Sequence, residues 1–303
     1  MNVQRPALTL AGFGITFAGA ILFSTKAVMV KLAFANLKTD PVTLLALRMV
    51  FALPFYLVIA CWVGSKAESK PLTRRQWWVT IGLGLLGYYF SSLFDFLGLQ
   101  YISAGLERLI LFLYPTFALI INRFVYRQRI LKNQVAAVVL TYAGIALAFF
   151  GELSFGSATD TFFLGCFLVL LCAITYSFYI VGSGRAIPSM GASRFTAYSM
   201  LAACAGVFLH YALAGTGGME LTSGAWGYGL ALGVIATVIP SFLLSSGLKQ
   251  IGSNNVAVIS SIGPVSTILQ AYFFLGEPIH GAQLAGTAMV VAGILLLGWK
   301  TAN

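Results

Sequence analysis

Long apolar stretches alternate with short polar connections along the whole of this 303-residue chain. A helix needs about 20 residues to cross the roughly 30 Å of hydrocarbon in a bilayer, and the stretches are of that length. The connections hold at most 13 residues, which leaves no room for a soluble domain. The pattern predicts an all-α polytopic membrane protein with ten transmembrane helices, at residues 8–30, 42–63, 77–99, 103–123, 133–150, 161–181, 195–214, 224–248, 254–275 and 281–299.

The sequence also repeats itself after a shift of 149 residues. Without a gap, residues 83–147 fall onto residues 232–296 with about a quarter of the positions identical. Each copy holds five of the predicted helices, which places the copies at residues 8–150 and 161–300. Because five is an odd number, the second copy must cross the membrane in the opposite sense. The chain is therefore predicted to form two inverted five-helix repeats.

Composition supports a lipid environment, since 59% of the residues are hydrophobic and only 9% are charged. The four cysteines lie within apolar stretches and predict neither a disulfide framework nor a zinc site. A net charge of +10 would suggest nucleic acid as the partner of a soluble domain. Here nearly all the basic residues lie in the connections, so we expect the lipid bilayer as partner and no nucleic acid, metal or cofactor.

The basic residues predict the orientation of the chain. With the amino terminus in the cytoplasm, thirteen of the 18 Lys and Arg residues face that side, as the positive-inside rule requires. Both termini are then cytoplasmic. One chain already contains two repeats, so we expect a monomer. The cytoplasmic cations are Arg5, Lys66, Lys70, Arg74, Arg75, Arg123, Arg127, Arg129, Lys132, Arg185, Arg194, Lys249 and Lys300.

A few ionisable residues lie within the predicted helices, where each costs roughly 2.5 kcal/mol or more at the bilayer centre. Lys26 and Arg48 are predicted to meet a carboxylate of a solute, and Asp95 and Glu107 an amine, or to couple transport to protons. Mutual pairing, or snorkelling to the interface, is the alternative. All of them fall in the outer halves of their helices, together with Arg108 and His210.

Pro115 and Pro264 occupy equivalent positions near the middle of the fourth and ninth predicted helices. A proline there removes one backbone hydrogen bond and displaces the carbonyl four residues earlier, which belongs to Leu111 or Ser260. Kinked helices at symmetric depth are common around transported solutes, so both prolines are assigned to the predicted site. Packing alone is the alternative reading.

Uncharged polar side chains recur at helical spacing on several of the predicted helices. Such a face cannot point to lipid without leaving hydroxyl groups in hydrocarbon, so it faces either another helix or a cavity. Phe23, Tyr114 and Tyr176 would add aromatic walls suited to an apolar or aromatic solute. The polar residues assigned to the predicted site are Tyr88, Ser92, Tyr176, Tyr179, Ser241, Ser260 and Thr267.

The segment Phe274-Leu275-Gly276-Glu277-Pro278, followed by Gln283, resembles the end of an EamA domain in the drug/metabolite transporter superfamily. The start of the chain is similar to the start of that domain, and Arg48 matches its second-helix arginine. The resemblance covers nearly the whole chain as two domains, although the first copy has Arg127-Gln128-Arg129 where Gly-Glu is usual. It implies ten helices, a bacterial inner-membrane location and export of small metabolites through a central cavity.

Within the superfamily the chain looks most like exporters of amino acids, especially aromatic ones. We therefore expect a secondary transporter that exports neutral or aromatic amino acids by alternating access around a central cavity. A permease for another amphipathic metabolite or drug, or a passive channel, is the alternative. An intramembrane enzyme is not expected, because Asp95 is the only aspartate within a predicted helix and the two histidines have no helically spaced metal partners.

Overall fold

The structure, a computed structural model, describes residues 9–37, 39–65, 71–127, 132–155, 160–214, 223–260 and 262–299. Within these residues the chain is helical and contains no β-strand. The helices are α1 (Leu10–Leu37), α2 (Pro41–Gly64), α3 (Arg74–Gly84), α4 (Ser91–Gly98), α5 (Ala104–Leu111), α6 (Tyr114–Tyr126), α7 (Lys132–Phe155), α8 (Asp160–Met190), α9 (Ala192–Ala214), α10 (Ser223–Leu230), α11 (Ile239–Ser260), α12 (Ile262–Leu275) and α13 (Gly281–Trp299).

Two π-helical segments interrupt otherwise continuous helices. The first, Leu85–Phe90, joins α3 to α4, and the second, Ala231–Val238, joins α10 to α11. Side-chain caps begin other helices. Asp40 accepts the backbone N–H groups of Val42 and Thr43, both at 2.9 Å, and so begins α2.

Eight segments of the described chain are long and apolar enough to cross a membrane. The last two predicted spans coincide with two shorter apolar helices, Ile262–Leu275 and Gly281–Gly293. Large apolar side chains point outward, with Phe124 80% exposed and Phe273 74% exposed. A surface of this kind suits lipid and not water, so the chain is a multi-pass membrane protein.

Some helix bounds differ from the prediction. The sixth predicted span ended at residue 181, but α8 continues to Met190 and stops at Gly191, whose φ of +82° is a conformation that glycine adopts easily. The fourth predicted span is two helices, α5 and α6, and Pro115 lies in the first turn of α6. This proline therefore begins a helix where a kink was expected.

Some residues named in the sequence-based predictions lie outside the described part of the chain. They are residue 8, Arg5, Lys66, Lys70, Gln128, Arg129 and Lys300.

The chain bends back sharply within α11. A Cβ atom on Gly247 would lie 3.4 Å from Cγ2 of Val256. Nine residues of straight helix would separate the same two positions by about 13 Å. α11 is therefore not one straight helix, although its backbone is helical throughout.

Close contacts between helices occur in pairs related by the 149-residue shift. Gly144 of α7 packs against Gly286 of α13, where a Cβ on Gly144 would lie 2.5 Å from the Gly286 carbonyl oxygen. The shifted contact is also present, since a Cβ on Gly293 would lie 2.8 Å from the carbonyl oxygen of Ala137. Contacts in this order require α7 and α13 to run antiparallel, and the small residues let their backbones approach closely.

A second pair of contacts follows the same rule. Gly98 of α4 lies against Gly165 of α8, and the shifted counterparts, Gly247 of α11 and Thr16 of α1, also touch. In both cases a helix of one half of the chain packs on a helix of the other half. The same exchange holds for whole helices, because α1 packs along α11 and α12 while α8 packs along α4 and α6.

The main apolar core is shared by the two halves as well. It contains Leu44 of α2, Phe96 of α4, Val207 of α9 and Leu232 of the second π-helical segment, all of them buried. The two halves therefore form one packed unit, and the interface between them is where the candidate site lies.

Candidate functional site

A small cavity of about 30 Å³ lies between the two halves of the chain. The first half contributes α1, α2, the first π-helical segment, α4 and α5, and the second half contributes α8, the second π-helical segment and α11. Cationic, hydroxyl and aromatic side chains are all present in its wall, whereas none of its lining residues is acidic. The lining residues are Phe23, Lys26, Arg48, Gly87, Tyr88, Ser91, Ser92, Leu111, Cys172, Tyr176, Thr237 and Ser241.

Arg48 is the cation at the centre of this wall and is 2% exposed. Its Nε donates a hydrogen bond to Oγ1 of Thr237 at 2.7 Å, and its Nη1 donates to Oγ of Ser92 at 3.0 Å. The guanidinium group also lies 5.6 Å from the centre of the Phe96 ring. No carboxylate of the described residues is within ion-pair distance of Arg48. The structure thus holds this buried positive charge with two hydroxyl groups and a ring face, and Asp95 acts on it only from beyond ion-pair distance.

Lys26, by contrast, has a carboxylate partner. Its Nζ lies 2.7 Å from Oδ2 of Asp95, and the carboxyl group of Glu107 lies beside that of Asp95. Lys26 lines the cavity, and the two acids are fully buried behind it. Lys26 is 5% exposed, so for this pair the structure has the mutual pairing and not the snorkelling that the sequence left open. Neighbouring carboxylates repel each other, and Lys26 offsets that repulsion.

Four tyrosines form a continuous aromatic wall. The hydroxyl groups of Tyr88 and Tyr179 are hydrogen-bonded at 3.1 Å. The ring of Tyr176 stacks on that of Tyr179 with centroids 6.0 Å apart, and meets the ring of Tyr114 edge to face at 5.3 Å. Tyr88 and Tyr176 reach the cavity, and the other two support them from behind. A flat apolar group would find ring faces and edges here.

The structure brings most of the predicted site residues together. Phe23, Lys26, Arg48, Tyr88, Ser92, Tyr176 and Ser241 line the cavity, and Asp95, Glu107, Tyr114 and Tyr179 lie directly behind it.

The other four predicted site residues belong to neither group. Pro115 begins α6, and Ser260 ends α11. Pro264 and Thr267 are buried in α12, where the Thr267 hydroxyl donates to the carbonyl of Ser24 at 3.3 Å. Their assignment to the site stays a prediction.

Five lining residues were absent from the predicted set. Thr237 lies on the same helical face as Ser241, and Leu111 is the residue whose carbonyl Pro115 displaces, so both had a detectable signal. No signal in the sequence marks the other three, Ser91, Gly87 and Cys172, because their place in the wall depends on helices that are distant in sequence. Gly87 is needed for close packing, since any Cβ there would run into the ring of Tyr179.

Among the described residues, no group of three or more His, Cys, Asp or Glu is placed to hold a metal.

Comparison with known proteins identifies the family. Residues 10–150 and 163–299 each match the EamA-like transporter family. The chain belongs to this family. It is 30% identical over 282 residues to YcbK, an uncharacterized transporter of Bacillus subtilis, with 91% of this chain and 89% of that protein covered. An uncharacterized transporter of Archaeoglobus fulgidus is 24% identical over 221 residues, which are 72% of this chain and 76% of that protein.

A solved structure shares the fold. It superimposes on this chain with a TM-score of 0.68 and 20% sequence identity, covering 94% of this chain and 96% of the other. The shared fold therefore extends over both halves of the chain. Membership of this transporter family implies a small-molecule substrate and the bilayer as the surroundings of the chain.

Proposed function

We propose that the protein is a secondary transporter that exports neutral or aromatic amino acids by alternating access. The cavity is the observation that carries the proposal, because both halves of the chain build its wall. A solute in such a place is released to one side or the other when the two halves change their packing. The active unit we propose is a monomer, since one chain supplies both halves.

The alternating packing rests on two inverted five-helix repeats with ten membrane crossings. The antiparallel pair α7 and α13 supports this arrangement, because Gly144 meets Gly286 and the shifted residues Ala137 and Gly293 meet as well. A two-fold axis that relates the two repeats would produce reciprocal contacts of this kind. The bend within α11 supports the crossing number, since it separates the eighth segment from the ninth.

We further propose that both termini lie in the cytoplasm of a bacterial cell, with the protein in its inner membrane. An epitope tag after residue 2 and another after residue 155 would then lie on opposite sides of the bilayer. Protease treatment of inside-out and right-side-out vesicles distinguishes the two positions. Both tags on one side would exclude the inverted arrangement.

The lining of the cavity supports an amino-acid substrate. Arg48 offers a cation to a carboxylate, Tyr88 and Tyr176 offer aromatic surface to a side chain, and Ser92 and Ser241 offer hydroxyl groups. Ligand sites of this type are apolar for the most part and contain a few converging polar groups.

The test is a counterflow assay with the purified full-length protein in proteoliposomes. Vesicles loaded with unlabelled phenylalanine, tryptophan, threonine or methionine should take up the labelled form of the same amino acid, and the uptake should saturate. Vesicles without protein give the background. Absence of flux for all four would remove the amino-acid part of the proposal.

A different amphipathic metabolite or drug is the second candidate, and a passive channel is the third. Inhibition of counterflow by unlabelled compounds of several classes separates the first two. Counterflow itself argues against a channel, because a pore does not couple the movement of one solute to that of another.

A further inference from the structure

Around the cavity three buried cations, Lys26, Arg48 and Arg108, outnumber the two buried acids, Asp95 and Glu107. Lys26 pairs with Asp95, whereas Arg48 has hydroxyl groups and a ring face as its neighbours. A buried charge without a counter-charge costs several kcal/mol in a membrane protein. This cost falls when an anion occupies the cavity that Arg48 lines.

We propose that Arg48 binds the carboxylate of the substrate, and that this carboxylate, not an amino group, is what the cavity selects. The inference rests on the proposed function and names the chemical class of its substrate: an aromatic or large apolar carboxylate, with or without an amine.

The guanidinium group of Arg48 is already oriented for this role. Nε and Nη1 are fixed by Thr237 and Ser92, while Nη2 makes no hydrogen bond to any described residue. Arginine presents its N–H groups in a rigid fork that matches the two oxygens of a carboxylate. Because the fork is held in place beforehand, little conformational entropy is lost when the ligand binds.

A substrate amine has no comparable partner. Asp95 and Glu107 are the nearest acids, and both lie behind Lys26 rather than in the wall. An ammonium group in the cavity would meet two cations, and no carboxylate side chain lines the wall to accept its hydrogen bonds. Binding of an amine without a carboxylate would add a third positive charge to this space, which is unfavourable at low dielectric constant.

The apolar part of the substrate has a defined place. Tyr176 of the second half and Phe23 of the first present aromatic rings to the same cavity as Arg48. A ligand with a ring and a carboxylate would therefore contact both halves at once. This double contact is what couples its binding to the packing of the halves.

The test compares four ligands of one shape: L-phenylalanine, 3-phenylpropionate, 3-phenylpropanamide and 2-phenylethylamine. Binding to the purified full-length protein in nanodiscs is measured as the increase in its thermal unfolding midpoint, which a ligand of the folded state always raises. We expect increases with the first two ligands and none with the last two. Equal affinity for 3-phenylpropionate and 2-phenylethylamine would overturn the inference, and so would the absence of binding by either carboxylate.

Two variants and a matched control assign the effect to Arg48. R48Q should bind 3-phenylpropionate at least tenfold more weakly, whereas R48K should lose less because it keeps the charge. R185Q makes the same chemical change at an exposed arginine that does not line the cavity, and should keep the order of the four ligands. If R48Q binds 3-phenylpropionate like the wild type, the inference is wrong. Carboxylate binding without amino-acid counterflow would instead contradict the proposed export and leave the inference standing.

Discussion

At the scale of single residues, buried charge is confined to the first half of the described chain. The shift of 149 residues pairs Asp95 with Leu244 and Glu107 with Val256. The second half therefore places apolar side chains where the first half places acids. Since the two halves share one fold, the fold itself does not require the acids, and we expect their cost to be offset by the cations beside the cavity.

The pair of Lys26 and Asp95 makes a prediction about stability. Lys26→Met leaves Asp95 and Glu107 buried beside each other without their cation, so the free energy of unfolding should fall by about 3–5 kcal/mol. The double variant Lys26→Met with Asp95→Leu keeps Glu107 but removes its repulsion with Asp95, so it should recover part of the loss.

The measurement is denaturant or thermal unfolding in one detergent for wild type, single and double variants. Additive losses, with the double variant less stable than the single one, would show that the pair is not coupled.

The sequence alone could identify these charged residues as site candidates, because a charged side chain is costly and therefore rare in a helix as apolar as these. Lys26 and Arg48 stand out for that reason. Cys172 and Gly87 line the same cavity and do not stand out, since a cysteine or a glycine is unremarkable in an apolar helix. Their place in the wall is set by α8 and the first π-helical segment meeting across the interface, which one sequence does not reveal.

At the scale of elements, the two π-helical segments hold equivalent positions in the two halves. Each carries lining residues, with Gly87 and Tyr88 in the first and Thr237 in the second. A π-helical turn contains an extra residue and so changes which face of the following helix points inward, which is why such turns are frequent at functional sites. The change in hydrogen-bond register leaves no periodic signal, so the sequence predicted straight helices here.

The crossing of α7 and α13 gives a prediction at the same scale. Gly144→Ala places a methyl group against the carbonyl oxygen of Gly286, so the helices must separate and the free energy of unfolding should fall by about 1–3 kcal/mol. Gly227→Ala is the control, because a Cβ there meets nothing within 4 Å. Alanine favours a helix over glycine, so the control should be neutral or slightly stabilising.

Thermal unfolding of both variants in the same detergent checks this expectation. If Gly144→Ala and Gly227→Ala lose similar amounts of stability, the contact between α7 and α13 does not exclude a methyl group and the prediction is wrong. Apolar length and the 149-residue shift predicted that these helices exist and correspond to each other. Their mutual contact depends on matched small residues and was not predicted.

At the scale of the whole molecule, an ionic link joins the halves at one end of the cavity. Oε1 of Glu277 accepts the backbone N–H of Ala104 at 3.2 Å and lies 3.7 Å from Nζ of Lys31. Nζ of Lys31 also donates to the carbonyl of Ile102 at 2.7 Å. In the proposed orientation this link lies on the outer side. It therefore holds the outer ends of α1, α5 and α12 together.

Weakening this link should favour opening to the outside. Glu277→Gln removes the charge of the acceptor, and the loss of about 1 kcal/mol shifts the population of the open form by about fivefold. Cys172 in the cavity wall reports the opening through its reaction with a membrane-impermeant thiol reagent added outside, in a protein whose other cysteines are alanine.

Asp160→Asn is the matched control, since this exposed carboxylate at the start of α8 undergoes the same chemical change away from the link. Faster labelling of Cys172 in Glu277→Gln alone is the expected result. Equal labelling rates in both variants would show that the link does not hold the outer side closed.

The exchange of contacts between the halves also bears on how the protein is made. When the ribosome has finished residue 155, α1 still lacks α11 and α12, and α7 still lacks α13. The glycine faces of the newly inserted helices then touch lipid tails, which cannot fit them as closely as a partner helix does. The first half must wait in the bilayer for the second, so a truncated product ending at the middle of the chain is expected to be degraded rather than to accumulate as a folded domain.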